Sequence, residues 1–376
     1  MSLQHDERTT SAQRERWADN LRVLVIAGVI VTHAATAYVI DVDWYYEERT
    51  TSDLWSLILT FPALIGGLFG LGPLFLLAGW FSALSLSHRR PGSFTRSRLL
   101  RLGVPLLVFT FLIDPLTDYL GGLGEGDAAK VSDYLTNRTG TGDTGPMWFV
   151  AVLLTLSLVY AGWRALRPAP RASGELARRD LLLAITTIAL LSFVIWQKWL
   201  PGADTFWNLN WPQWPQGAVL FALGVHAGER GWLVTLSPTR TRRLGRVAAT
   251  ALAALVALAF FAIATSDGED LITGLNAGML AFVFLDGTVA VCGGLWLVSW
   301  LRRRWTTQGP LLVRAGRASY GTYLLHPPTL VVLSLLARPL GIAPELKFVL
   351  VAAVGVPACF TVGYALTRLP RVNRIL

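Results

Sequence analysis

Apolar runs long enough to cross a bilayer recur along this chain, and arginines gather in every second gap between them. This alternation limits the fold more than any motif does. A helix of about 20 apolar residues spans roughly 30 Å of hydrocarbon and satisfies its own backbone there. About ten such spans can be read. They run approximately from Leu21 to Ile40, Leu54 to Leu86, Leu99 to Leu120, Met147 to Leu166, Leu181 to Trp199, Ala218 to Trp232, Val247 to Ala264, Leu271 to Leu301, Tyr320 to Leu336 and Phe348 to Leu366. The second is too long for a simple crossing and holds Gly70, Gly72 and Pro73, which predicts a break. With 53% hydrophobic residues, 15% charged and a mean hydropathy of +0.48, the composition is that of an integral membrane protein.

Cytoplasmic loops carry the excess of lysine and arginine. Arg14, Arg16 and Arg22 precede or open the first span; Arg89, Arg90, Arg96, Arg98 and Arg101 follow the second; Arg164, Arg167, Arg171, Arg178 and Arg179 follow the fourth. Similar clusters run from Arg240 to Arg246, from Arg302 to Arg317 and from Arg368 to Arg374, whereas Asp41 to Asp53 and Thr265 to Asp270 are acidic or arginine-poor. The expected fold is therefore an all-α, polytopic helix bundle with both termini cytoplasmic. It forms one domain over residues 1–376, with 1–20 as a cytoplasmic segment and no separate soluble domain. The net charge of +9 is then a topology signal with anionic lipid as its partner, not a nucleic-acid footprint. A signal peptide ending near Ala35-Thr36-Ala37 is rejected, because cleavage there would leave an odd number of spans that the arginines do not support.

Cys292 and Cys359 fall inside apolar spans and read as small buried hydrophobes. The five histidines are scattered, so no metal site is expected. The outer stretch 121–145, rich in Gly, Thr and Asp, reads as a flexible cover. The chemistry should then lie inside the bundle, where ionisable groups are costly and usually functional.

Arg22 and His33 share the first helix, about 16 Å apart along its axis and on nearly the same face. Arg98 and Arg101, at i and i+3, enter the third span from the cytoplasmic side. With Arg22 they would form a cationic mouth suited to phosphate, although each alone would also serve topology or reach lipid headgroups. His33 suits a general base at neutral pH; as a structural residue it would be a hydrogen bond between helices.

Several short segments resemble the membrane-bound acyltransferase 3 family, the bacterial O-acyltransferases. Asp19-Asn20-Leu21-Arg22 followed by His33 is similar to the family's arginine and histidine pair, and Arg98-Leu99-Leu100-Arg101 to its RxxR. Gly72 to Phe81 resembles the family's FF-x-x-SGF segment, with Ala78 where serine is commoner; Met147-Trp148-Phe149 and Ser319 to Pro327 also match. The resemblance implies about ten spans in a bacterial-type plasma (inner) membrane. It also implies transfer of an acyl group, most often acetyl, from cytoplasmic acyl-CoA to an extracytoplasmic hydroxyl. Arg22, Arg98 and Arg101 would hold the CoA phosphates, and His33 would deprotonate the acceptor hydroxyl or carry the acyl group transiently.

Other membrane-depth groups have two readings each. Asp286 would orient the catalytic histidine, or be a structurally paired carboxyl. His326 would border the acyl-CoA channel, or satisfy carbonyls freed by Pro327 and Pro328. Asp114 and Trp148 would line the acceptor entrance, with a helix-end role as the plainer account of Asp114. Trp207 and Trp211 belong to a run of five tryptophans from Trp196 to Trp214, which is either an aromatic belt or a stacking platform for a sugar ring. His226 and Glu229 read as a local surface pair. The Gly66/Gly70 pair suits close packing within one chain or in a homo-oligomer. The rival functions are a multi-span transporter or flippase, and a non-catalytic sensor on the same scaffold. The residues leave three classes of acceptor open: a glycan, a glycolipid or a small molecule.

Overall fold

The computed structural model describes residues 3–38, 44–125, 143–167, 174–199, 206–264, 274–370 and 372. Helix makes up 84% of it and no strand occurs among the described residues, so the fold is all-α. The helices are α1 (Leu3–Tyr38), α2 (Asp53–Phe69), α3 (Gly72–Leu86), α4 (Pro91–Leu123), α5 (Trp148–Leu166), α6 (Arg178–Ile195), α7 (Trp214–Arg230), α8 (Pro238–Ala264), α9 (Ala277–Arg304), α10 (Pro310–Ala337) and α11 (Pro344–Thr367). Asp41 to Asp43, most of the Gly/Thr/Asp-rich stretch (126–142), Arg171, the acidic residues 265–270, Arg371 and Arg374 lie outside the described residues.

Among the described residues six helices are long and apolar enough to cross a membrane: α1 from Arg16, α4, α5 with the turn before it, α8, α9 and α11. The other expected spans are helical but shorter or more polar. α6 opens on Arg178, Arg179 and Asp180; α7 ends on Glu229 and Arg230; α10 carries Arg314, Arg317 and His326. The second expected span breaks between Phe69 and Gly72 into α2 and α3, where glycine frees the backbone and Pro73 starts a new helix. The segment expected to precede the first span is itself helical, since α1 begins at Leu3.

Glycines set the closest packing. A Cβ on Gly79 would lie 2.0 Å from the Phe221 carbonyl oxygen, and one on Gly224 would lie 2.0 Å from that of Leu76, so α3 and α7 meet backbone to backbone. α10 and α11 meet likewise at Gly363, where a Cβ would come within 2.4 Å of the Thr322 nitrogen. Gly66 of α2 approaches Thr32 of α1 closely, whereas an added Cβ on Gly70 would first meet Gly66 of its own helix. Gly224→Ala should therefore cost about 1–3 kcal/mol by overpacking. Gly162→Ala, with nothing within 4 Å of the added carbon, should be neutral or slightly stabilising. Thermal unfolding of the two variants in one detergent checks the contrast.

Two π-helical turns interrupt α4, Leu99–Gly103 and Phe109–Ile113, and one interrupts α9, Val289–Gly293. Such turns are most frequent near functional positions. α1 packs between α10 and α11, which brings His33 into the interior of the bundle.

Candidate functional site

One half of the site begins with the Asp19-Asn20 pair. Asn20 is fully buried, donates to the Trp305 carbonyl at 2.9 Å and accepts from Gln308 Nε2 at 2.9 Å, which fastens α1 to the connection between α9 and α10. Asp19 accepts from Arg22 at 2.8 Å, and the Arg22 guanidinium sits 5.6 Å from the centre of the Phe81 ring. Arg98 is held from two sides: it donates to Ser82 Oγ at 3.1 Å and lies 4.8 Å over the Phe94 ring. Arg98 and Arg101 line one cleft of about 570 Å³ with Phe81, Phe94, His88 and Arg89, although a π-turn begins between them. Arg101, Arg22 and Arg89 all repel Arg98 electrostatically, so the cluster lacks a counter-charge of its own size. The expected cationic mouth is thus assembled by α1, α3 and α4.

His33 lies in the other half, farther along α1. Its Nδ1 is 3.1 Å from Nε2 of His326, and Nδ1 of His326 is 2.6 Å from the Tyr323 carbonyl. In a regular helix that carbonyl would accept from residue 327, but residue 327 is proline and has no N–H. A carbonyl can only accept, so His326 carries its proton on Nδ1 and offers a lone pair on Nε2. His33 must then donate through Nδ1, which leaves its own Nε2 as an unprotonated base. The Pro-driven role expected for His326 and its contact with His33 are therefore one arrangement.

Aromatic rings enclose the pair. The Trp44 indole stacks on the His33 ring, with centroids 4.4 Å apart and planes 14° apart. Tyr323 stacks on His326 at 5.5 Å and donates its hydroxyl to the Pro146 carbonyl. Phe149 meets Tyr323 edge-on, and Phe75 packs behind it. Beside them the Tyr45 hydroxyl donates to Asp114, and Gly145, at φ +43°, leaves the room both need, since a Cβ there would lie 2.6 Å from the Tyr45 oxygen. Burial first, and then the Asp114 charge, hold the Tyr45 phenol well above its ordinary pKa, so it stays a donor. Asp114 thus binds Tyr45 of the segment after α1 rather than being a bare helix end.

Trp148 opens α5 next to this layer and meets Phe149 edge-on. Trp207 is 50% exposed and has a left-handed backbone, as do Asn208 and Asn210. Thr144 ties that segment down by donating from its hydroxyl to the Trp207 and Asn208 carbonyls, both at 3.0 Å. Trp207 is therefore joined to the Gly145-Pro146-Met147 turn that supports Tyr323. Trp211 instead stacks on Trp214 at 4.5 Å, and Trp214 and Trp196 donate to the Leu209 and Pro212 carbonyls, which makes them braces of the loop.

Asp286 is buried in α9, and its Oδ1 has no hydrogen-bond partner among the described residues. Its neighbour Gly287 faces Ile185 and Ile188 of α6, and no described hydrogen bond joins Asp286 to His33; His326 occupies the orienting position instead. His226 and Glu229 bond separately rather than as a pair: His226 accepts from Trp232 and Glu229 accepts from Tyr160. Both cysteines are buried and free, and no group of three or more potential metal ligands occurs among the described residues.

Trp44, Tyr45, Ser82 and Tyr323 do not stand out in the sequence as site residues. Only the run Trp44-Tyr45-Tyr46 directly after the histidine span, and Phe94 four residues before Arg98, offered a local signal. Comparison with curated proteins and with solved structures finds no match. The acyltransferase domain profile Acyl_transf_3 matches residues 15–368, nearly the whole chain, and the protein belongs to this family of membrane acyltransferases.

Proposed function

We propose that the protein is a transmembrane O-acyltransferase that moves an acyl group, acetyl in the simplest case, from cytoplasmic acyl-CoA to a hydroxyl presented on the outer side. In this reading about ten spans cross a bacterial-type inner membrane with both termini in the cytoplasm. The observation that carries it is the 3.1 Å contact between His33 Nδ1 and His326 Nε2, in the same bundle that lines one cleft with Arg89, Arg98 and Arg101. The acceptor is a glycan, glycolipid or small molecule entering past Asp114, Trp148 and Trp207, with Trp207 as the exposed stacking surface.

The phosphates of the donor lie against Arg98, Arg101 and Arg22, and its arm extends along α1 to bring the thioester to His33. Nε2 takes the proton of the acceptor hydroxyl as the oxygen attacks the thioester carbon. The tetrahedral intermediate collapses, the C–S bond breaks, and the imidazolium returns the proton to the leaving thiolate. Throughout, Nδ1–H of His33 donates to His326 Nε2, which steadies the imidazolium. Trp44 shields the ring from bulk water, and holding both substrates in one site supplies proximity.

The test is acetyl-CoA binding and slow thioester hydrolysis by the purified chain in detergent. Binding with hydrolysis supports the reading. Absence of binding, with substrate counterflow in vesicles, would favour a translocation path, and binding without turnover a sensor. His326→Ala is expected to lower the hydrolysis rate about ten- to a hundredfold by freeing the His33 tautomer. Because the two rings act as a unit, His33→Ala/His326→Ala should be no slower than His33→Ala alone; additive losses would separate their roles.

A further inference from the structure

α1 and α10 run side by side in the same direction. Near their inner ends Gly316 faces Asp19, where an added Cβ would lie 3.0 Å from the Asp19 Cβ, and farther out His326 faces His33. The stretch of α10 between these contacts therefore lies at the depth between Arg22 and His33, along the route the donor arm must take. Gly316, Tyr320 and Tyr323, at i, i+4 and i+7, fall on one stripe of that helix.

The two tyrosines on the stripe differ in one respect. Tyr323 gives its hydroxyl to Pro146, whereas the Tyr320 hydroxyl is sealed from solvent and has no hydrogen-bond partner among the described residues. The two phenols are close enough to interact electrostatically, so Tyr320 belongs to the same interior as the histidine pair. A buried hydroxyl without a partner is unfavourable, and one beside a substrate route is explained when the substrate supplies the partner.

We infer that Tyr320 is a donor-binding residue, whose hydroxyl pairs with an amide of the pantetheine arm and selects donors that carry the whole arm. The inference rests on the acyl-CoA reading proposed above. Tyr320 precedes His326 by six residues, about 9 Å along the axis. In an extended arm with its sulfur beside the histidines, the amide farther from the thioester reaches that depth. A tyrosine hydroxyl both donates and accepts, so it can bond either the N–H or the carbonyl of that amide.

The experiment compares wild type with Tyr320→Phe in the full-length protein, using three donors: acetyl-CoA, S-acetylpantetheine and S-acetyl-N-acetylcysteamine. The last keeps only the amide nearer the sulfur. Tyr320→Phe should lower kcat/KM about five- to tenfold for the first two donors and leave the third unchanged. Its thermal stability without donor should be equal to wild type or higher, because the change removes an unpaired polar atom and keeps the ring. Equal losses on all three donors, or on none, would overturn the inference while the wild-type turnover still stood. A wild type that neither binds nor hydrolyses acetyl-CoA would instead overturn the donor reading beneath it.

Discussion

His33→Ala should lower the rate of acyl transfer by about two to four orders of magnitude, the usual contribution of a positioned general base, while leaving acetyl-CoA binding nearly unchanged. The two effects separate because Arg22, which with Arg98 and Arg101 of α4 would hold the phosphates, lies about 16 Å from His33 along α1, too far for direct coupling. His33→Gln is the sharper variant. Its amide can still donate to His326 but cannot take up a proton, so it should be as slow as alanine. Thioester hydrolysis with water as surrogate acceptor, measured beside equilibrium binding, gives both quantities from one preparation. A glutamine variant at near wild-type rate would mean that the ring serves packing under Trp44 and that the base lies elsewhere.

The sequence made His33 and the arginines legible because each is expensive where it sits: an ionisable group at membrane depth stands out against its apolar neighbours. The break at Gly70 to Pro73 was legible for a similar reason, since glycine and proline change what the backbone can do regardless of context. His326 was half legible. Pro327 announces a freed carbonyl at Tyr323, but that the other ring nitrogen meets His33 depends on how α1 packs on α10, which no local pattern encodes. Asp286 illustrates the opposite case. It carries the same cost as His33 and so drew the same attention, yet no described hydrogen bond joins it to His33, which meets His326 instead. Ser82 was not legible at all and Trp44 only as part of an aromatic run, because a serine in a helix and a tryptophan near an interface are ordinary until a partner arrives from another element.

The arginine cleft should respond to mutation in two opposite directions. Arg98 and Arg101 share the cleft with Arg89, Arg22 lies nearby with Asp19 paired to it, and the remaining excess of positive charge weakens the fold through self-repulsion. A polyphosphate donor relieves that repulsion, and Arg98 is already oriented for it by Ser82 and the Phe94 ring, so little ordering cost remains on binding. Hydrogen bonds to charged groups contribute about 1.5–3 kcal/mol each. Arg98→Ala/Arg101→Ala should accordingly raise the Kd for acetyl-CoA by about 10² to 10⁴ and yet raise the thermal stability of the donor-free protein. Arg98→Lys keeps the charge but loses the two-pronged geometry, so it should weaken binding on its own, and added salt should narrow the gap between the variants. Titration of acetyl-CoA at two ionic strengths, with melting curves recorded without donor, resolves the opposing signs. A double variant that loses stability along with affinity would identify the arginines as structural. One that keeps its affinity would move the phosphate site away from this cleft.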